Sequence, residues 1–522
     1  MSPENDTFQR PDSANRSRTS GPARSLMMVV SVLVVTVLVA YTDTYLRGAS
    51  WKNLMARTDS TVLHREASQD VSSVRNGSAA FPSSNIRTSA ESKPVISATG
   101  TTEATSTAAT DIALSASGLR PPIRHVAPLH EQMVTPGNFE YLGAFRPPHV
   151  QNPDATFGFG GWAMAHHDGG DKNGESDGHP GSLFLTGHRQ QDLVAEISIP
   201  RPLISANHSM DELPVASVLQ PLTDITGGIR KFMTQGSSEP FQIGGLCVVG
   251  DRLHWTLYKF YNVQSIDYPS HGTSSLILSN PSPEGLWHLG PSNAGQSQWI
   301  SYKHAGYIFD IPEDQARQWW FGGRNLISGL QIATGLNIAS HGPAMFAYSL
   351  PERNAAEKPD VDAIPLLYND LSRPASGYVP SDRWTGGAWL TLNDKHTVII
   401  TGRKSLGESY YGDARAADCS IDKGFHGAPY EAQVRFYAPQ ALAASAAGKT
   451  DPTSIAPWDV WNHDSPGGGF NQYLFPTCSQ YLGGLAYDRK NNLLYVAQID
   501  AGTTADNPYE PLPVIHVFRI VP

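Results

Sequence analysis

Two patterns of apolar and polar positions divide this chain. The first is one uninterrupted apolar run, SLMMVVSVLVVTVLVAY, from Ser25 to Tyr41. It falls slightly short of the ~20 residues that span a bilayer, and a helix continued through 42–45 reaches that length. The second pattern begins near Phe139 and recurs to the C-terminus. A Gly pair or Ala-Gly opens a short apolar strand, a polar turn follows, and a second apolar strand ends in polar or basic residues. A third strand comes later and often ends in proline.

Five copies of the second pattern can be read. They are GGWAMAHH from Gly160, with SLFLTGHR and VAEISIP; GGLCVVGDRLHWTLYKFYN from Gly244, with SSLILSNP; and AGYIFDIPEDQARQWWFGGRN from Ala305, with AMFAYSLP. The last two are GGAWLTLNDKHTVIITGRKS from Gly386, with VRFYAP, and GGLAYDRKNNLLYVAQIDAG from Gly483, with VIHVFRIVP. The turns VGDRL, PEDQA, LNDKH and DRKNN are hairpin signals between β-rich runs. In the first copy the turn is swollen into a long Gly/Asp loop. Five antiparallel units predict an all-β domain, a β-propeller of five blades, with FEYLGAF at Phe139 as the strand that closes the ring. A β-sandwich or another blade number is the alternative. Glycine pairs suit the crowded propeller axis.

Composition agrees. Gly (47), Pro (39), Trp (11) and Tyr (20) are frequent and charged residues make up only 16%, which suits a turn-rich β protein. A formal net charge of −10 gives no reason to expect a nucleic-acid partner. No CxxC pair exists. In an exported domain Cys419 and Cys478 can pair and leave Cys247 as a buried strand residue; three free thiols is the other reading.

The flank before the apolar run carries Arg10, Arg16, Arg18 and Arg24, so the N-terminus is expected to stay cytoplasmic and the rest to be exported. No A-x-A site follows, which favours an uncleaved signal anchor over a cleaved signal peptide. Residues 53–118 are rich in Ser, Thr and Ala and too poor in apolar surface to offset their ordering entropy. The expected layout is therefore a cytoplasmic tail over 1–24, an anchor over 25–45, a stalk over 46–118 and the propeller over 119–522. That layout is expected of a type II membrane protein facing the periplasm from a bacterial inner membrane. The same layout also fits a Golgi lumenal protein. Oligomeric state is not legible.

The repeat layout over Phe139–Pro522 resembles the five-bladed propellers of the arabinanase and levansucrase glycoside hydrolase clans. The resemblance is in architecture alone. No family motif is present, so no catalytic residue carries over.

In a propeller the residues before the first strands and after the second strands share one face. That rule gathers Glu239, His304, Asp382, Arg383, Trp384 and Tyr481 with His188, Arg189, Lys259, Arg324, Arg403 and Asp500. The cations and aromatics of this set suit a carbohydrate with acidic groups; alternatively, the arginines bridge blades by pairing with the acids. Hydrolysis needs two carboxylates, for which Glu239, Asp382 and Asp500 are the candidates. A lyase needs a Tyr or His base beside arginine, for which His188, His304 and Tyr481 serve. A non-catalytic glycan- or protein-binding module and an envelope scaffold are the alternatives to an enzyme. The segment HHDGGDKNGESDGH at His166–His179 is dense in metal-type ligands. Phe184 occupies the position an EF-hand gives to Glu, so it is read as a solvated loop, with no metal and no cofactor.

Overall fold

Five inner strands stand side by side around one axis, and each starts a separate antiparallel sheet. The computed structural model describes residues 132–522, apart from 151, 153, 175–177, 236–238, 263–265, 293–296, 320, 333–337, 351–359, 371–376 and 421–422. The predicted tail, anchor and stalk lie outside these residues. Among the described residues no helix is long and apolar enough to cross a membrane.

The chain enters through β1 (Phe139–Phe145). Blade 1 follows as β2 (Met164–His167), β3 (Gly178–Thr186), β4 (Val194–Pro200) and β5 (Val218–Thr223). Blade 2 is β6 (Gln242–Val249), β7 (Arg252–Tyr258), β8 (His271–Ser275) and β9 (Glu284–Leu289). Blade 3 is β10 (Tyr307–Asp310), β11 (Leu326–Gly329), β12 (Met345–Tyr348) and β14 (Ala363–Leu367), while the short β13 (Asp360–Val361) pairs in parallel with β9. Blade 4 is β15 (Arg383–Leu392), β16 (Lys395–Ser405), β19 (Tyr430–Tyr437) and β20 (Asp459–Trp461), with the hairpin β17 (Tyr410–Asp413) and β18 (Lys423–His426) between its second and third strands. Blade 5 is β21 (Leu482–Asp488), β22 (Leu493–Thr504) and β23 (Asn507–Ile520), completed by β1. The fold is the predicted all-β propeller with five blades.

Ring closure is the expected one. Strand β1 pairs antiparallel with β23, from Phe139 opposite Ile520 to Phe145 opposite Ile515. The seam is sealed by rings: Phe518 lies 5.1 Å from Tyr141, 5.3 Å from Tyr473 and 5.5 Å from Phe470, centroid to centroid. Buried apolar clusters fill all five joints between adjacent blades. At the axis the Gly pairs are obligatory. A Cβ at Gly244 would stand 1.8 Å from the Ala305 carbonyl oxygen, and one at Gly483 would stand 2.1 Å from that of Gly161. No side chain fits between inner strands this close.

Blade 3 departs from the expectation. PEDQA is not a hairpin turn but the start of a helix, Glu313–Gln318, preceded by Pro312 and opened by two acids. Acids in the first turn oppose the positive helix end. The second strand is therefore LISG, not the WWFGG run, and Arg324 precedes that strand instead of following it. The disulfide joins Cys419 to Cys478 with 5.5 Å between Cα atoms, and Cys247 is buried in β6.

Two stability outcomes follow. Phe518→Ala should cost about 3–5 kcal/mol in chemical denaturation, because the cavity opens inside the closure seam; a cost near zero would mean the seam does not hold the ring. Cys478→Ser should cost about 2–4 kcal/mol, the range for closing a loop of this length, with no difference from wild type once both are reduced.

Candidate functional site on the upper face

Inner strands begin, and second strands end, on one face of the ring, here called upper. Side chains from blades 1, 4 and 5 form a continuous file across it. Arg189, just past β3, lays its guanidinium 3.8 Å from the centroid of the Trp162 ring and donates through Nε to Gln242 Oε1 at 2.8 Å. Trp162 stands 5.7 Å from Tyr481. Arg403 is clamped between Tyr481 and Tyr430, 3.8 Å from each centroid. Arg383 lies over Tyr481 at 5.2 Å. Cations over aromatic faces are held by the ring quadrupole; Arg403 is 3% exposed and also donates to the Ser479 carbonyl, while Arg189 and Arg383 are half-buried. Burial first, and the neighbouring Arg383 second, lower Arg189 to about 10.

Carboxylates complete the face. Burial raises Glu239, against the pull of Lys303, Arg189, Lys259 and Arg383. Asp500, in a left-handed backbone conformation in β22, has a buried Oδ1 without a hydrogen-bond partner. Burial holds it up at about 6, with Arg189 opposing. Asp192 sits beneath, 3% exposed, accepting the Ile243 N–H with Arg230 3.8 Å away, and burial raises it too to about 6. Trp162, Arg189, Asp192, Gln242, Tyr258 and Gln331 surround a gap too tight to admit a water molecule. The buried Tyr258 hydroxyl there has no hydrogen-bond partner. Lys303 donates to the Phe260 carbonyl, and burial lowers it to about 7 against Glu239. Eight charges thus converge, five positive and three negative, in a chain that is acidic as a whole.

Of the residues expected here, Arg189, Glu239, Lys259, Arg383, Arg403, Tyr481 and Asp500 come together. Lys259 is buried, with Nζ 4.7 Å from the Phe241 centroid. His188 lies at the rim beside the exposed Phe159, and its Nδ1 accepts the Gln190 N–H.

The others are placed differently. Arg324 is on the lower face and pairs with Asp362, because it precedes its strand. His304 is 1% exposed between blades, its ring 4.2 Å from Phe346, and burial lowers it to about 3. Trp384 is 1% exposed and packs under the buried Arg435 at 3.9 Å. Asp382 is closed off: Oδ1 accepts Lys404 Nζ and the Ser405 N–H, both at 3.0 Å, and Oδ2 accepts the Val379 N–H at 3.1 Å. Sequence reasoning missed Trp162, Asp192 and Tyr258. The signal for Trp162 was its place directly after a Gly pair.

The fold and this face define a five-bladed propeller with a basic, aromatic upper surface. Among solved structures the chain resembles an inulosucrase from Halalkalicoccus jeotgali bound to kestose, at 12% identity and a TM-score of 0.29, over 73% of this chain and 86% of that one. It also resembles a putative hydrolase from Bacteroides ovatus ATCC 8483, at 8% identity and a TM-score of 0.29, over 70% and 86%. Likeness at this level carries nothing about chemistry. No protein-family model matches the chain, and no curated protein does.

Structural and surface charges should separate on mutation. Asp382→Ala strands the buried Lys404 and should cost about 3–5 kcal/mol. Arg383→Ala, half-buried at the face, should cost less than about 1 kcal/mol. Equal losses in urea unfolding would contradict this division.

Proposed function

We propose that the chain is a membrane-anchored propeller that holds its upper face outside the cytoplasm, and that this face binds a carbohydrate bearing acidic groups. The observation that carries the reading is the file Arg189–Trp162–Tyr481–Arg403, with Arg383 above it. Flat rings suit the apolar faces of sugars, and guanidinium edges suit carboxylates. The arginines are not consumed by the acids as blade-bridging pairs: Arg189 donates to Gln242, Arg403 is held by two rings, and Arg383 Nε is buried without a partner. The anchor supplies the location, from the apolar run and its basic flank.

Asp500 favours a catalytic version of the same reading, glycoside hydrolysis. A carboxyl held near 6 keeps its proton in mildly acidic solution and can deliver it to a leaving oxygen. Glu239, near Lys303, Arg189, Lys259 and Arg383, is the second carboxyl this chemistry needs, and burial raises it as well. For lyase chemistry, His304 is sealed inside, which leaves His188 at the rim and Tyr481 under two guanidinium groups as the candidate bases.

The full chain in detergent, titrated with neutral and uronate-containing polysaccharides, tests the binding. The uronate polymers should bind, more weakly at high salt, and an Arg189→Ala, Arg383→Ala double variant should lose at least about 10-fold in affinity. Equal binding of neutral polymers, untouched by the variant, would overturn the reading. If the chain is a hydrolase, kcat/KM should fall as pH rises through about 6, where Asp500 gives up its proton. Asp500→Asn should abolish release of reducing ends, while Asp192→Asn should leave the alkaline limb in place.

A further inference from the structure

The lower face carries a separate cluster that owes nothing to the carbohydrate reading. His166, in the inner strand of blade 1, has Nδ1 3.0 Å from Asp168 Oδ1 and Nε2 3.7 Å from Asp488 Oδ2. Asp488 ends the inner strand of blade 5, so residues far apart in sequence meet where the ring closes. One ligand atom from each of the three lies within 4.8 Å of the others.

Asp488 is fully buried, and its carboxylate accepts the Asn491 N–H at 3.0 Å and Asn491 Nδ2 at 2.7 Å, both uncharged donors. A buried carboxylate calls for a positive partner. Tyr495 points to the same place. Its ring is parallel to His166 at 5.8 Å, Asp488 acts on its phenol, and its buried hydroxyl has no hydrogen-bond partner. A buried hydroxyl without a partner, on a ring parallel to the imidazole and near Asp488, fits a donor to a water or oxygen held by an ion.

We propose that His166, Asp168 and Asp488 bind a divalent first-row transition ion, Zn2+ or Mn2+, with water completing the shell and the Tyr495 hydroxyl donating to that shell. Two carboxylates carry the charge that a divalent ion cancels, and the imidazole adds a nitrogen ligand. One nitrogen and two oxygens suit zinc or manganese over the all-oxygen shell that calcium prefers. The Pro180 carbonyl, 3.4 Å from His166 Nε2, orients the ring. The ion clips the first blade to the last and so reinforces the closure made by β1.

The test is metal-stripped full-length protein in detergent, titrated calorimetrically with ZnCl2, MnCl2 and CaCl2, with thermal unfolding in parallel. Zn2+ or Mn2+ should bind one per chain and raise Tm by about 3–6 °C at saturation, and Ca2+ should bind more weakly. Asp168→Asn, an exposed substitution that leaves the fold intact, should weaken binding at least 10-fold, and His166→Gln should remove it. Absence of one-to-one binding by either ion, tighter binding of Ca2+, or binding unchanged in Asp168→Asn would overturn the proposal.

Discussion

Everything in this molecule depends on five inner strands meeting around one axis closely enough that only glycine fits between them. At Gly244 and Gly483 the neighbouring backbone stands where a Cβ would go. That approach lets each sheet bury one face against the blade before it and the other against the blade after it. The ring must then be closed, because an open ring would expose two sheet faces and two edges. Strand β1 does this by pairing along β23, and the aromatic packing around Phe518 excludes water from the seam.

The same constraint builds the upper face. With the inner strands fixed, the residues that enter them and those that leave the second strands have nowhere to go but a shared surface. Packing then sorts those residues. Some turn inward and become structural, as Asp382 does with Lys404 and Trp384 with Arg435. Others, Arg189 and Arg383 among them, lie half-buried with their guanidinium groups ordered against aromatic rings. Preorganised donors of this kind lose little entropy on binding. The disulfide secures one end, since Cys478 lies three residues before Tyr481 and Cys419 follows Asp418, which accepts the Tyr430 hydroxyl.

Blades were legible in the sequence because glycine pairs, Asn/Asp turns and strand-length apolar runs agreed with each other. Blade 3 was misread where they disagreed: WWFGG has strand composition, yet Trp319 caps a helix and Phe321 fills the joint with blade 4. The upper face was legible by position and not by orientation. Register shifts fall at the Gly pairs, between Ile243 and Gly245, Trp384 and Gly386, and Leu482 and Leu485. A bulge there turns the following side chains to the other side. Counting from the strand ends therefore cannot tell Trp384, which is buried, from Arg383, which is not. Gln498, inside β22, likewise spends its amide on Phe475 and His516 within the blade. The lower cluster was half visible, as His166 and Asp168 in a ligand-dense loop. Asp488 had no signal, because only ring closure brings it there.

Hydrogen exchange on the full chain, with and without saturating oligogalacturonate, tests the central claim most directly. Protection should appear at 159–162, 187–192, 382–384 and 479–482, the segments that build the upper face. Protection confined to the opposite turns at 250–251, 393–394 and 489–492, or none anywhere, would contradict the assignment of that face as the carbohydrate site.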